Sequence, residues 1–187
     1  FVLERGVNKL VAFEPSSNMY PLLKQRFMSD PRVEVRNSMF SDCNGELVNC
    51  FDSVLYVNVL EHIEFDREEL LVANRTIKRG GNLLVFVPAL DWLYSDLDRK
   101  FGHYRRYHKK TLCDVVRAAG FEITTAKYFD IAGIIPWYVA FVLMKKTMTG
   151  SNVSAYDRLI VPPMRFLETL VTPPIGKNLL LVAKKQS

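Results

Sequence analysis

The sequence predicts an α/β fold, a doubly wound and mostly parallel sheet, on three observations. Short apolar strands alternate with amphipathic helices as far as residue 129, which is how crossover connections between parallel strands read. The core of FDSVLYV, residues 51–57, is apolar along its length, as expected for a strand covered on both faces. The strands also end abruptly in polar residues, Glu14 after LVAF and Asn58, Glu61 and His62 after FDSVLYV. Open sheets of this class bind their ligands at such carboxyl edges.

Each element has its own signal. Residues 1–5 read as the tail of a helix stopped by Gly6. Leu10 to Phe13 is a short buried strand running into Glu14-Pro15. Met19, Leu22, Leu23 and Phe27 recur at helical spacing, and Asp30-Pro31 ends that helix. Val33 to Val35 is the next strand, and 52–57 the one after. A helix follows in which Leu70, Ala73, Asn74 and Ile77 share a face; Gly80-Gly81 terminates it, and Asn82 to Val87 is again a strand. Thr111 to Ala119 is predicted as a helix with a Thr111/Asp114 capping box, a stripe of Leu112, Val115, Val116 and Ala119, and Gly120 as its stop. Phe121 to Phe129 and Leu179 to Ala183 complete the strands. Between them, 130–177 carries five of the nine prolines and is too long and apolar for a plain loop. A helical cap inserted between the last two strands is the expectation.

Length and composition fit one domain spanning 1–187 with that cap inside it. Cys43, Cys50 and Cys113 form no CxxC pair and are odd in number, which speaks against a disulfide framework or a cysteine zinc site. A reducing, cytoplasmic setting is expected. The first residues show no secretory signal, and Phe1 where Met would stand leads us to expect residues lost upstream. The net charge of +5 is local, because six of the 25 Lys and Arg residues lie between Arg99 and Lys110 with no acid among them. Such a cluster reads as a site or contact surface.

The chemistry-bearing residues sit at the strand ends and in that basic stretch. Glu14 can accept hydrogen bonds from both ribose hydroxyls of a nucleoside, a device that serves several nucleotide cofactors. The alternative is a carboxylate at the start of the following helix. In NVLEHI, residues 58–63, His62 can act as a base near neutral pH or as a cap or packing residue. GHYRRY, residues 102–107, offers two guanidinium forks for phosphate or carboxylate, two phenols for stacking, and His103 as a base. A solvated basic loop with Tyr104 and Tyr107 packed on the sheet edge is the alternative. One short cluster without an RNA-binding signature argues against a nucleic-acid partner. The run Ile131 to Met144 contains Trp137 and Tyr138 and no charge before Lys145-Lys146, but it is shorter than the ~20 residues that cross a bilayer. It suits an interfacial helix or lid over a lipidic ligand, with peripheral membrane contact through 131–146, or a buried cap.

Taken together, Glu14, NVLEHI and the run PALDWLYSDLDRKFGHYRRYHKKTL from Pro88 to Leu112 resemble class I S-adenosylmethionine-dependent methyltransferases. The last run is similar to bacterial-type members often associated with glycan or glycolipid pathways, and the resemblance continues to the terminal LLLVAKK strand. It implies a Rossmann-like sheet, S-adenosylmethionine as cofactor, and methyl transfer to a small-molecule, glycan or lipid-linked acceptor at oxygen. It further implies Glu14 and Pro15 at the ribose, and Asn58 with Val59 beside the methionine portion. Asn37, Ser38 and Met39 fall at the adenine by topology, although Met39 also suits the core and the usual acidic residue is absent there. His62 and His103 are the candidate bases. Tyr104, Arg105, Arg106, Tyr107 and Trp137 are the candidates for acceptor recognition. Related enzymes with Glu in place of Asn58 hold a divalent metal through the motif's Glu and His; Asn58 leaves Glu61, His62 and a distant His, and no metal is expected. The first strand and glycine-rich loop that the class places before Glu14 are missing, so an N-terminally truncated chain is expected. A non-catalytic binding or scaffold protein derived from a methyltransferase is the alternative, and an RNA or protein methyltransferase a further one. A nicotinamide oxidoreductase would share Glu14 but would not account for GHYRRY.

Overall fold

The computed structural model describes residues 3–43, 45–145 and 173–186. The chain divides into two compact units, Phe1–Leu47 and Val48–Ser187. In the first, β1 (Leu10–Phe13) and β2 (Val33–Arg36) pair in parallel, with Leu10 opposite Val33 and Phe13 opposite Arg36. The crossover between them is α1 (Met19–Phe27), which unwinds into the Asp30-Pro31 turn as the sequence predicts. Leu23 and Phe27 are half-buried, whereas Met19 and Leu22 at the start of the same stripe are exposed.

The second unit is built on a four-stranded sheet in the order β3 (Phe51–Val57), β4 (Ile77–Pro88), β6 (Asn178–Lys185), β5 (Phe121–Phe129). β3 runs parallel to β4, and β6 runs antiparallel to both β4 and β5. Three strands thus share one direction and the last is reversed, in keeping with a mostly parallel sheet. Leu83, Val85 and Val87 of β4 and Leu179 and Leu181 of β6 have no exposed surface; each contributes about 1.5–3 kcal/mol by leaving water. Helices α2 (Asp66–Thr76) and α4 (Lys109–Ala118) bring Leu70, Ala73, Leu112 and Val116 to the core. The short α3 (Asp96–Lys100) follows β4, and α5 (Ile134–Trp137) continues as a π-helix over Tyr138–Leu143.

Three expectations are corrected. β3 is not covered on both faces: Val54 and Tyr56 are buried, but Leu55 and Val57 are 45% and 51% exposed. Its side chains alternate between a packed face and an open one, and it lies at the edge of the four-stranded sheet. The α2 helix ends at Thr76, so Ile77 belongs to β4 and not to the helix face. Between the pairs Phe51–Ile77 and Ser53–Asn82 the register shifts, and Gly80, at φ 73°, gives the extra residues the left-handed turn they need. Finally, α4 begins two residues earlier than predicted. Its cap is His108, in a reciprocal box with Thr111, while Asp114 pairs with Lys110.

The segment between β5 and β6 leaves and returns through a narrow neck. Phe129 is opposite Asn178, Lys177 donates its amide to the Asp130 carbonyl (3.1 Å), and their side chains form an ion pair of 2.8 Å. A side chain on Gly176 would collide with the Phe129 backbone. Of the predicted cap, 146–172 lie outside the described residues. No helix among the described residues is long and apolar enough to cross a membrane.

Candidate active site

At the carboxyl end of β1, the backbone ladder continues one step, with Glu14 donating its amide to the Arg36 carbonyl (3.0 Å). The Asn37 side-chain amide donates to the Glu14 carbonyl (2.8 Å), tying the two strand ends together. Glu14 Oε1 accepts the Ser16 amide (2.9 Å), so part of this carboxylate does start the helical segment. Pro15 and Asn37 are exposed and Ser38 is half-buried. The Met39 amide donates to Asp42 Oδ2 (2.9 Å). Asp42 therefore brings to this edge an acid that inspection of residues 37–39 alone did not reveal.

In the second unit, Asn58 donates its amide to the Phe86 carbonyl (2.8 Å) and then turns the chain at φ 52°. Asparagine is among the few side chains that tolerate this left-handed conformation. Val59 is exposed. The next turn, Leu60–His62, turns its first two residues inward and its third outward: Leu60 is fully buried, Glu61 is 1% exposed, and His62 is exposed.

The basic run folds back on this turn. Leu90, buried at φ 65°, redirects the chain after β4, in a sparsely populated backbone conformation that costs about 1–3 kcal/mol. It is held by its amide, which donates to the Tyr107 carbonyl (3.0 Å), and by the bridge between Ala89 and Tyr107. Ser95 and Asp98 form the capping box of α3, with the Ser95 amide and hydroxyl donating to Asp98 Oδ2 at 2.9 and 2.8 Å. The fully buried Asp98 carboxylate also accepts from Arg106 Nε (2.8 Å) and from its terminal nitrogen (3.1 Å), and pairs with His103 Nδ1 (2.9 Å). Burial works to raise the Asp98 carboxyl, but Arg106 and Ser95 together hold it below the usual carboxylate range. With that carboxylate ionised, Nδ1 of a neutral His103 carries the proton and Nε2 is left as the acceptor nitrogen.

The structure thus brings together residues far apart in sequence. His62 and His103 meet edge to face, ring centroids 4.6 Å apart, and the Tyr104 amide donates to the Glu61 carbonyl (2.8 Å). Donor atoms of Glu61, His62 and His103 all lie within 4.8 Å of one another. Glu61 Oε2 is buried and makes no hydrogen bond. Burial pushes the Glu61 carboxyl up to about 7, despite the pull of Arg106. Burial and then the neighbouring His103 lower His62 below the usual imidazole value, which keeps it neutral near pH 7.

The predicted acceptor-binding residues divide into two kinds. Tyr104 is 55% exposed, and Arg105 pairs with Asp66 (2.7 Å) at the surface. Arg106 and Tyr107 are buried: the first belongs to Asp98, and the second donates its hydroxyl to Asp66 (2.7 Å). Trp137 donates to the Leu93 carbonyl (3.1 Å) and stacks on Arg106, 4.6 Å from its guanidinium. Sequence reasoning missed Asp98 and the inward turn of Glu61. The signal for Asp98 was present in the Ser95-x-x-Asp98 spacing, an N-cap pattern that fixes an acid near a helix start.

No protein-family model matches the sequence, and no curated protein sequence matches it. Solved structures are nevertheless similar. Phosphoethanolamine N-methyltransferase 2 of Haemonchus contortus, in complex with S-adenosyl-L-methionine, superposes with a TM-score of 0.63 at 18% identity, over 96% of this chain and 44% of its own. A SAM-dependent methyltransferase from Archaeoglobus fulgidus gives 0.57 at 19% identity, over 94% and 75%. The [4+2]-cyclase SpnF gives 0.62 at 17% identity, over 99% and 70%. The chain has the Rossmann-like α/β fold of class I methyltransferases. A cyclase on the same fold is a reminder that function lives in the site.

Proposed function

We propose that this protein is an S-adenosylmethionine-dependent methyltransferase acting on the oxygen of a small-molecule, glycan or lipid-linked acceptor. The observation that carries the reading is the turn after β3. In a fold shared with SAM-dependent methyltransferases, Asn58 leaves the strand at φ 52° and is followed by His62, whose ring meets that of His103. Conformations of this kind in non-glycine residues concentrate at functional sites.

Methyl transfer from a sulfonium is an in-line displacement, so the protein's share is alignment and exclusion of water. The acceptor hydroxyl gives its proton to a ring nitrogen, its oxygen takes the methyl carbon, and the carbon–sulfur bond breaks to leave S-adenosylhomocysteine. His103 is the better supported base, because Asp98 fixes its ring and leaves Nε2 for the proton; His62, kept neutral, is the other candidate. In the first unit, Glu14 is assigned to ribose hydroxyls through Oε2, with Pro15 beside it and Asn37, Ser38 and Met39 toward adenine. In the second, Asn58 and Val59 are assigned to the cofactor's amino-acid part. Tyr104 and Arg105 are the acceptor-facing members of GHYRRY, and Arg106, Tyr107 and Trp137 frame them.

Ile135, Val139 and Leu143, four residues apart on one helical face, are 73%, 42% and 60% exposed. This apolar stripe favours a lipid-linked acceptor or a membrane surface beside the site. The reading is tested by calorimetric titration of the protein with S-adenosylmethionine and S-adenosylhomocysteine. Saturable binding of both is expected, and absence of binding sinks the proposal.

A further inference from the structure

We propose that Glu61, His62 and His103 form a binding site for one divalent transition-metal ion, with Asp98 as the residue that positions His103. The donor atoms of the three side chains already lie within 4.8 Å of one another. Ligands bound at zinc-like distances around one ion stand about 3.4 Å apart, so the widest pair needs to close by little more than a rotamer adjustment. The two imidazoles and one carboxylate suit zinc, cobalt, nickel, iron or manganese, where calcium and magnesium would call for oxygens alone.

Two independent features point to an occupant. Glu61 is 1% exposed, yet its Oε2 makes no hydrogen bond, a costly arrangement unless something else binds there. A proton shared with either histidine would draw the groups into hydrogen-bond contact, and no such bond is made among the described residues. The second feature is the pairing of His103 Nδ1 with Asp98 Oδ1 at 2.9 Å. Carboxylate to imidazole to metal is the arrangement that fixes a ligand histidine's tautomer and raises its donor strength. Arg106 is a positive charge that acts on Glu61, but it is bound by both oxygens of Asp98, so that pair adds little net charge against a cation. The exposed ring of His62 leaves the site open to solvent on one side.

Three protein ligands leave a coordination position for water or substrate. One consequence rests on the methyl-transfer reading: a hydroxyl acceptor bound at that position would have its pKa lowered by the ion's charge and would release its proton to solvent water, so neither histidine would be needed as a free base. Metal binding itself does not depend on that reading.

The test uses chelator-treated protein, without cofactor or acceptor, titrated with Co2+ while visible d–d absorption is followed, and then with Zn2+ as competitor. One ion per chain is expected, with Zn2+ displacing Co2+. His62→Ala, at an exposed residue, and Glu61→Gln should each weaken binding by about tenfold or more. Asp98→Asn should weaken it by roughly 10–100-fold, the usual effect of losing such a partner. Circular dichroism confirms that each variant is folded. No saturable binding to wild type at millimolar Co2+, or unchanged binding in folded His62→Ala and Glu61→Gln, overturns the proposal. Either failure leaves methyl transfer through a histidine base standing, just as failure to bind S-adenosylmethionine would leave the metal site standing.

Discussion

Replacing Arg106 by Met distinguishes a residue that frames the site from one that binds acceptor. The Arg106 and Asp98 side chains are 2% and 0% exposed, and their closest approach is 2.8 Å. Without the guanidinium, the Asp98 carboxylate stays buried with only Ser95 and His103 as partners. Breaking a buried pair by removing one member costs about 3–5 kcal/mol. Methionine refills most of the volume, so little of that loss comes from a cavity. At roughly 2–4 °C per kcal/mol for a chain of this size, the near-ultraviolet circular dichroism melt should fall by about 6–20 °C. The pH dependence gives a second reading. The Asp98 carboxyl is held below its usual range, so the pair's contribution is present above the ordinary carboxylate pKa and is lost as pH falls through the depressed value. The gap between wild type and variant should therefore narrow in acid. A variant that melts with wild type and shows only a raised KM refutes the framing argument and returns Arg106 to acceptor recognition.

Other outcomes follow from the same geometry. Glu61 has a folded-state pKa of about 7, so metal-free protein should lose stability as pH rises from the ordinary carboxylate range through 7; Glu61→Gln should flatten that slope, by about 3 kcal/mol at its limit, in urea melts across pH. Tyr107→Phe removes the bond to Asp66 and should cost about 1–3 kcal/mol in the same melts; a loss below measurement would mean that the hydroxyl anchors nothing. Asn58→Gly should keep the fold, because glycine accepts the φ of 52°, yet weaken S-adenosylmethionine binding measured by calorimetry. Unchanged affinity would remove the Asn58 side chain from the cofactor site.

The strands were legible from their apolar and β-branched residues: LVAF and FEITTAKYF form strands at the predicted bounds, Leu10–Phe13 and Phe121–Phe129, although Leu10–Phe13, expected to be buried, is only half-buried along its length. Boundaries governed by one local contact were not. His108 is not among the usual cap residues, so the start of α4 was invisible until its box with Thr111 closed. Likewise, the extension of β4 back to Ile77 depends on a register shift against β3 that no periodicity records. Within GHYRRY, two adjacent arginines have opposite fates. Arg105 stays at the surface with Asp66, and Arg106 turns inward to Asp98. Composition cannot separate them, because the difference lies in a partner eight residues upstream that is itself held by a helix cap. The meeting of His62 and His103 is of the same kind, a long-range contact fixed by the way the loop after β4 returns to the turn after β3.

The neck where Asp130 and Lys177 meet gives the chain a modular character. The sheet pairing of Phe129 with Asn178, the paired backbone at Lys177 and the close approach of Gly176 fix both ends of the intervening segment. Because the ends are already joined, the loop-closure cost of a longer or shorter segment changes by only about 0.6 kcal/mol for each doubling. Residues between Trp137 and Gly176 can therefore be lengthened, shortened or exchanged without disturbing the register of β5 and β6, provided that Trp137 keeps its place against Leu93 and Arg106 and Gly176 its approach to Phe129. On the methyl-transfer reading, a scaffold of this kind lets the choice of acceptor change at one splice point while the sheet stays as it is.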